Sequence, residues 1–425
     1  FLRLVLHRET RGKGTKDYKF QKVDEFEASG DSLPEKCISM ERFKNESLKR
    51  RWEGAASGSC VPPPWSSAPF DFSVMSYNIL SQELLQDNAY LYRHCDPGVL
   101  PWDHRLPNLL AEIRQHDADV TSVSTRSERG ANRTAVQLSS SPRVSRSSRP
   151  IRLSFSALAT PFWTGTTWDW SCCCEPSDAA SPLGASSICV ANTHLLYNPR
   201  RGDVKLAQLA ILLAEISRLS RLPGGSTGPV VLCGDFNSTP LSPLYSFLTT
   251  GCLNYSGLKM GSVSGQESSP RGQRLLPCPI WSPSLGIDHR CQYRSEEEED
   301  DAAAPAAEEA SASSPTGSPS EPRPGDVPAP PHLLKIGHTL NLQSTYQHLL
   351  PPDGRPEITT HHSRTALTVD YIMYTPDTAS CPDGRGLRLL DRLSLVGQAE
   401  LEEVRGLPNH HHPSDHLPLL ARFRL

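Results

Sequence analysis

Short apolar runs bounded by polar residues recur along this chain, and they constrain its fold more than any other feature. In the stretch FDFSVMSYNIL, Phe70, Phe72 and Val74 occupy every second position. A period of two is typical of a strand that enters a core. Four later runs have the same strand character: SICVANTHLL, PVVLCGDFN, TALTVDYIMYT and HLPLLARFRL. These runs predict buried strands.

Helical stretches lie between the strands. WDHRLPNLLAEIRQHDADV places Leu106, Leu109 and Ile113 at helical spacing, and GDVKLAQLAILLAEISRLSRL is strongly amphipathic. STPLSPLYSFLTTG indicates a loop and then a short helix that ends at a glycine. Because helices and strands alternate, the sequence predicts an α/β (α+β) fold, a mixed α/β sandwich.

Three segments depart from this pattern and set the predicted domain boundaries. Residues 1–69 are polar and mixed in charge, so we expect an N-terminal extension and linker ahead of one domain over 70–425. Residues 121–187 are rich in serine and arginine, contain no lysine and show no sustained period, which is not typical of a core. Residues from about 258 to 333 surround an acidic centre and predict a disordered insertion.

Bulk properties exclude several classes of protein. A net charge of −4 gives no general attraction to nucleic acid, so any phosphate-binding surface must be local, and no DNA specificity is expected. No apolar run reaches the roughly 18 residues that would predict a membrane span. The 12 cysteines form no C-x-x-C pair, which favours a cytoplasmic or nuclear compartment. The chain begins with Phe1 rather than methionine, so we expect a fragment or an incomplete gene model.

Polar residues that end or flank the predicted strands form a candidate active site. They are Asn78 in SYNIL, His194 in NTHLL, Asp235 and Asn237 in GDFN, Asp370 in VDYI, and Asp415 and His416 in SDHLP. Any single motif could be structural, since GDFN could be a tight turn and the histidine of NTHLL a core residue. Together they suit hydrolysis of a phosphate ester, which needs a divalent cation, a group that activates water, and donors for the developing charge.

The oxygen-bearing residues indicate the kind of metal. Asn78, Asp235 and Asp415 offer hard ligands, which suit Mg²⁺ or Mn²⁺ rather than zinc. Within HHHPSDHLP we expect only Asp415 and His416 to act in the site, with His410–His412 in a loop. A zinc site built from His412 and His416 is the alternative.

These motifs resemble those of the endonuclease/exonuclease/phosphatase superfamily, and within it the branch of poly(A) deadenylases, nocturnin and the Angel proteins. The stretch NPRRGDVKLAQ points to the Angel proteins. The resemblance covers residues 70–120, 188–257 and 334–425. It implies a four-layer α-β-β-α sandwich of two mixed β-sheets, incomplete here because residues 121–187 do not fit the pattern.

The resemblance also implies roles for the candidate residues. Asp235 would be the base or water-orienting group near the metal, with Asn78 and Asp415 as further metal ligands. Asn237 would position the nucleophile and contact the substrate.

Two histidines complete this implied site. His194 would bind phosphate, and His416, oriented by Asp370, would stabilise the transition state. The implied substrates are RNA 3′ ends, either adenosine tails or 2′,3′-cyclic phosphates. A cap-binding translation initiation factor is an implied partner, although the chain contains no complete Y-x-x-x-x-L-apolar motif.

One implied metal ligand is missing from the sequence. The resemblance places a glutamate, in a Leu-Gln-Glu context, near Thr125, where this chain reads DADVTSVSTRSERG. Glu128 lies three residues on, an odd offset that faces the other side of a strand. Loss of a carboxylate from a hard-cation site should weaken metal binding. Either residues 121–187 reflect a gene-model error, or the chain is a catalytically inactive isoform that binds RNA or a translation factor.

Overall fold

The structure is a computed structural model that describes residues 47–54, 70–126, 132–138, 154–157, 170–174, 188–222, 225–267, 274–294, 334–377 and 386–425. The helices in these ranges are α1 (Gln82–Asp87), α2 (Trp102–His116), α3 (Gly202–Leu219), α4 (Pro243–Thr250) and α5 (Gln398–Glu403). The strands are β1 (Trp52–Gly54), β2 (Asp71–Asn78), β3 (Val120–Arg126), β4 (Asn132–Leu138), β5 (Ser154–Ala157), β6 (Trp170–Cys174), β7 (Ile188–His194), β8 (Val230–Asp235), β9 (Cys252–Asn254), β10 (Lys335–Gly337), β11 (Gln343–Ser344), β12 (Leu349–Leu350), β13 (Arg355–Pro356), β14 (Thr360–His362), β15 (Thr365–Leu367), β16 (Asp370–Tyr374), β17 (Arg388–Leu393) and β18 (Leu419–Arg424).

Two six-stranded mixed sheets form the frame. The first has the strand order β1-β17-β18-β2-β3-β4, and the second has the order β11-β16-β8-β7-β6-β5. Each sheet contains one parallel pair, β2 with β3 and β7 with β8, between antiparallel neighbours. Helices α2 and α3 lie in the connections that cross over between the strands of these parallel pairs.

The two sheets pack face to face with helices outside. Val74 and Phe423 of the first sheet share a buried cluster with Val231 and Ile372 of the second. On the outer face of the second sheet, α3 buries residues at helical spacing, among them Leu206, Leu209 and Leu213. On the outer face of the first sheet, α2 contributes Leu109 to a cluster with Met75 and Tyr77. The predicted mixed α/β sandwich is therefore confirmed.

Helix α4 shows how the local sequence fixes an element beside the candidate site. The Ser242 hydroxyl caps the helix by accepting from the backbone N–H of Tyr245 at 3.2 Å, and Pro243 follows at the first helical position. Gly251 ends the helix in a left-handed conformation with φ of 71°. The short helix and its glycine stop agree with the sequence prediction.

The predicted N-terminal boundary at residue 70 is too late. Strand β1 pairs with β17 at the edge of the first sheet. The Arg50 guanidinium donates to the backbone carbonyls of Ser394 at 2.7 Å and Pro418 at 2.8 Å. Residues 47–54 thus belong to the folded domain, because edge pairing uses backbone groups that a polar sequence supplies equally well. The rest of the predicted extension, 1–46 and 55–69, lies outside the described residues.

The predicted start of the insertion at about 258 is too early. Val263, Ile280, Ile287 and Cys291 are buried in the core cluster that contains α3. These apolar residues are too sparse to form a period, yet they cover the helix layer of the second sheet. Residues 268–273 and 295–333 of the predicted insertion lie outside the described residues.

Residues 121–187 contribute strands, contrary to the prediction of an incomplete fold. Most of β3 and all of β4, β5 and β6 come from this segment, and both sheets reach six strands. Backbone hydrogen bonds do not depend on an alternating side-chain pattern, so neighbouring strands can order a serine-rich run. No helix in the described part of the chain combines the length and the apolar character needed to cross a membrane.

Candidate active site

The candidate residues of the second sheet meet at one end of its strands. His194 is the last residue of β7 and Asp235 the last of β8, and these parallel strands pair the two residues in register. Asp370 is the first residue of β16, which runs antiparallel to β8, so its register partner is also Asp235. The topology therefore gathers three polar side chains that are far apart in sequence.

The first sheet supplies the other half of the site. Asn78 ends β2, and the antiparallel strand β18 places the preceding residues Asp415 and His416 at the same end. The Ser414 hydroxyl donates to the backbone carbonyl of Asn78 at 2.6 Å, which fixes the approach of this segment. All the candidate residues lie at the seam between the two sheets.

Asp235 occupies the centre of the site. Its Oδ2 accepts from Nδ2 of Asn78 at 3.0 Å and lies 3.5 Å from Nε2 of His194 and 4.0 Å from Nε2 of His416. Burial raises the pKa of the Asp235 carboxyl, the charge of Asp370 raises it further, and the two histidines oppose these effects. A buried carboxylate with a raised pKa can accept a proton from water and hold it.

His416 and Asp370 form a hydrogen-bonded pair, as the sequence predicts. Nδ1 of His416 lies 2.8 Å from Oδ2 of Asp370, and the Thr359 hydroxyl donates to the same oxygen at 2.7 Å. Burial alone lowers the pKa of His416, but the nearby charges of Asp370, Asp415 and Asp235 outweigh it and raise the pKa to about 10. The imidazole is therefore a cation at neutral pH, with one N–H fixed toward Asp370.

Asn237 forms the turn after β8. It has a left-handed backbone with φ of 44°, and its backbone N–H donates to Oδ1 of Asp235 at 2.8 Å. Its side-chain Nδ2 donates to the carbonyl of Leu195 at 2.9 Å. One residue thus joins the turns that follow β7 and β8, so its contacts in this structure hold the site together.

One carboxylate oxygen of Asp415 accepts a hydrogen bond, and the other has no hydrogen-bond partner among the described residues. The Tyr92 hydroxyl donates to Oδ2 of Asp415 at 2.7 Å. Oδ1 is buried, has no hydrogen-bond partner among the described residues, and lies 3.9 Å from Nε2 of His416. A buried carboxylate oxygen without a donor is costly unless a cation or water binds it. Sequence reasoning missed Tyr92, because YLYRHC shows no period and no motif.

The site contains a possible metal-binding group. Asp235, Asp370 and His416 each offer a ligand atom, and these atoms lie within 4.8 Å of one another. The predicted set of Asn78, Asp235 and Asp415 shares only Asp235 with this group. His416 and Asp370 bond to each other, and Oδ1 of Asp415 is a buried oxygen without a hydrogen-bond partner among the described residues. An oxygen of this kind suits a hard divalent cation.

Strand β3 brings no carboxylate to the site within the described residues. The register partner of Asn78 on β3 is Ser124, which is buried, and Thr125 follows half-buried. Glu128, the nearest acid in the sequence, lies outside the described residues. The side of the site next to Asn78 therefore has hydroxyl groups where the family resemblance implies a glutamate.

Two other histidines of HHHPSDHLP contact acidic residues outside the candidate set. Nε2 of His410 lies 3.2 Å from Oδ2 of Asp96, and Nδ1 of His412 lies 3.5 Å from Oε1 of Glu112. His412 is not in the metal-binding group that contains His416. The structure thus gives no support to the alternative zinc site.

A buried arginine that the sequence reasoning missed stabilises the loops next to the site. Arg105 of α2 is fully buried and donates to the backbone carbonyls of Leu80 and Pro413, each at 2.6 Å. These carbonyls belong to the loops next to Asn78 and Asp415. An arginine on an amphipathic helix is usually solvated, so no sequence signal identifies this contact.

Known proteins resemble this chain over most of its length. No protein-family model matches it. Protein angel homolog 2 of Danio rerio is 45% identical over 413 residues, which cover 89% of this chain and 69% of the relative. Protein angel homolog 1 of Rattus norvegicus is 34% identical over 466 residues, which cover 90% of this chain and 68% of the relative. The motifs alone favour the first vertebrate Angel homolog, and that expectation is wrong, because identity to homolog 2 is higher.

A solved structure also resembles this chain over most of its length. The crystal structure of ANGEL2, a 2′,3′-cyclic phosphatase, in complex with adenosine-2′,3′-vanadate matches with a TM-score of 0.69 at 40% identity. The match covers 89% of this chain and 99% of that chain. The strand ends that carry the candidate residues thus lie in a fold shared with that protein.

Proposed function

The chain belongs to the Angel family of the endonuclease/exonuclease/phosphatase superfamily, and from this premise we propose that it is a divalent-metal-dependent phosphoesterase that acts on RNA 3′ ends. One observation carries the proposal. The buried Asp235 carboxylate faces the His416 imidazolium, with 4.0 Å between Oδ2 and Nε2. This pairs a group that can activate water with a cation that can stabilise phosphoryl charge.

Each residue has a proposed task at the phosphate. Asp235 orients or deprotonates the attacking water, and the His416 imidazolium stabilises charge on a phosphoryl oxygen. His194, 3.5 Å from Asp235, binds another phosphoryl oxygen. Asp235, Asp415 and Asn78 would hold Mg²⁺ or Mn²⁺, which supplies positive charge to the phosphoryl oxygens when bound.

We propose RNA that ends in a 2′,3′-cyclic phosphate as the substrate class. The support is the likeness to ANGEL2, which is a 2′,3′-cyclic phosphatase. In the proposed reaction, water attacks phosphorus and one ribose oxygen leaves with a proton. A 3′-hydroxyl adenosine tail is the competing substrate, and we expect it to react more slowly.

We also propose that activity is impaired in this form of the chain. The support is the end of β3, where Ser124 and Thr125 stand next to Asn78 instead of a glutamate. One carboxylate fewer lowers the affinity for a hard cation, so higher metal concentrations are needed.

The same observation favours a second candidate function. A chain that binds the metal too weakly could bind RNA or a translation factor without catalysis, in the cytoplasm or nucleus. RNA binding that is indifferent to Mg²⁺ and to His416→Ala, without hydrolysis at any metal concentration, would favour this second candidate.

The deciding experiment is a hydrolysis assay on matched RNA oligonucleotides. One set ends in a 2′,3′-cyclic phosphate and the other in a 3′-hydroxyl adenosine tail, each with Mg²⁺, Mn²⁺ or EDTA. We expect metal-dependent loss of the cyclic phosphate, which Asp235→Asn abolishes. Asp353→Asn is the matched control, since Asp353 is exposed and pairs with Arg355. Hydrolysis that survives both EDTA and Asp235→Asn would refute the proposal.

A further inference from the structure

The N-terminal half of helix α3 carries two buried polar side chains that the proposed reaction does not use. Lys205 is fully buried and Gln208 is 6% exposed. They lie three residues apart, so they point to the same face of the helix. A buried amine is costly to stability unless its hydrogen bonds are satisfied. Both side chains lie next to turns that carry site residues, and hydrogen bonds to these turns offset the cost.

Lys205 holds the turn after β8. Its Nζ donates to the backbone carbonyl of Asn237 at 2.6 Å and to Oε1 of Gln266 at 2.6 Å. Asn237 in turn donates its backbone N–H to Oδ1 of Asp235 at 2.8 Å. A single residue in a left-handed conformation thus connects the lysine to the central carboxylate of the site.

Gln208 holds the turn after β7. Its Oε1 accepts from the backbone N–H of Leu196 at 3.0 Å, two residues after His194. The neighbouring carbonyl, that of Leu195, accepts from Nδ2 of Asn237 at 2.9 Å. The two turns are therefore bonded to each other, and each is bonded to α3.

Lys205 also forms a hydrogen bond with a third segment. Gln266 belongs to the loop in which the carbonyl of Ser264 accepts from the backbone N–H of Thr239 at 2.8 Å. In the same loop, Glu267 lies 3.6 Å from Arg200 of the segment that leads into α3. The lysine is therefore at the junction of α3, the Asn237 turn and the 264–267 loop.

We propose that Lys205 and Gln208 are positioning residues, which set the orientation of Asp235 and His194 through the turns that follow β8 and β7. This inference rests on the proposed function for its catalytic consequence, but the positioning itself does not need activity. A buried polar group that only stabilises the fold would, when replaced, lower stability and accelerate exchange across the whole domain, whereas loss of a positioning contact acts first on the turn that it holds. A positioning role and a purely structural role therefore make different predictions.

The test compares Lys205→Met and Gln208→Leu with Lys259→Met, a matched control at an exposed lysine. Backbone amide hydrogen exchange is measured in peptides that cover 235–241 and 194–198. We expect Lys205→Met to accelerate exchange in 235–241, and Gln208→Leu in 194–198, by about tenfold or more, with the melting temperature held within a few degrees. On the cyclic-phosphate substrate, kcat should fall about tenfold or more with KM little changed.

A further variant tests the positioning role if Lys205→Met does not fold. Gln266→Met removes one of the two acceptors of Lys205 and should accelerate exchange in 235–241 by a smaller factor. Unchanged exchange in both peptides would overturn the positioning role, and so would equal acceleration across a strand of the other sheet, such as 388–393. If the wild-type chain hydrolyses no RNA end, the proposed function fails, while the exchange data still decide the positioning.

Discussion

The imidazole of His416 and the carboxylate of Asp370 meet across the two sheets, with 2.8 Å between Nδ1 and Oδ2. His416 precedes the last strand of one sheet, and Asp370 begins a strand of the other. The pair therefore gives the site a cation whose orientation depends on both layers.

Replacing Asp370 with asparagine should lower the pKa of His416 from its value of about 10, because the largest opposing charge is removed. The alkaline limit of hydrolysis should move to lower pH, and kcat at pH 9 should fall by about 10²-fold. NMR titration of the His416 ring and the pH dependence of kcat measure the two effects. Thr359→Val, which keeps the carboxylate, is the control and should shift this limit much less.

The same raised pKa has a consequence for stability. His416 binds its proton more tightly when folded, so its contribution is complete below its ordinary value of 6.5 and is lost as pH rises through about 10. The contribution of His416 to the free energy of unfolding should therefore decline over this window. Asp370→Asn should flatten the decline in chemical denaturation at several pH values, and an unchanged slope would contradict the assignment.

Introducing a carboxylate at Thr125 should strengthen metal binding. Thr125 follows Ser124, the register partner of Asn78, and is the position at which the family resemblance implies a glutamate, so Thr125→Glu restores the implied anionic ligand. We expect Thr125→Glu to bind Mg²⁺ about tenfold more tightly in calorimetric titration and to hydrolyse faster at limiting metal. Thr125→Gln has the same size without the charge, and equal gains in both variants would rule out the carboxylate as the cause.

Replacing Tyr92 with phenylalanine should destabilise the chain by about 1–3 kcal/mol, because Oδ2 of the buried Asp415 loses its donor. Added Mg²⁺ should recover more of the melting temperature in this variant than in wild type, since the cation would compensate the unpaired charge of Asp415. Tyr90→Phe is the matched control on an exposed ring. An equal metal response in both variants would place the cation away from Asp415.

Lys205 should make stability rise with pH. Burial lowers its pKa to about 7, although Asp235 opposes the effect, whereas the ordinary value is 10.5. Between these values the unfolded chain binds more protons than the folded chain, so the free energy of unfolding increases with pH by up to about 1.4 kcal/mol per pH unit. Lys205→Met should remove this rise, and denaturation curves between pH 7 and 10 would detect it. A rise of equal slope in the variant would assign the effect to another group.

The sequence could predict the site because its residues lie at strand ends. Asn78, His194, Asp235 and Asp370 each follow or begin a buried apolar run, and parallel or antiparallel register then brings them together. The layered fold was predictable for the same reason, since the period of the apolar residues identifies both strands and helices.

The supporting contacts could not be predicted, because their partners belong to segments that are remote in sequence. Arg105, Lys205 and Tyr92 each look like an ordinary solvent-facing residue in their local sequence. Strand β1 and the buried apolar residues of 258–294 were missed for a related reason. Their pairing and burial depend on surfaces that other segments complete, so no local period indicates them.

The site has one half on each sheet, and apolar packing between the sheets helps to set the spacing of those halves. A small sliding of one layer over the other would change the separation of Asp235 and His416 while leaving every strand intact. The residues between the sheets, such as Val74 and Val231, therefore help to align Asp235 with His416 although they do not contact the site. Substitutions that create cavities between the sheets should lower the rate of the reaction although they lie outside the site.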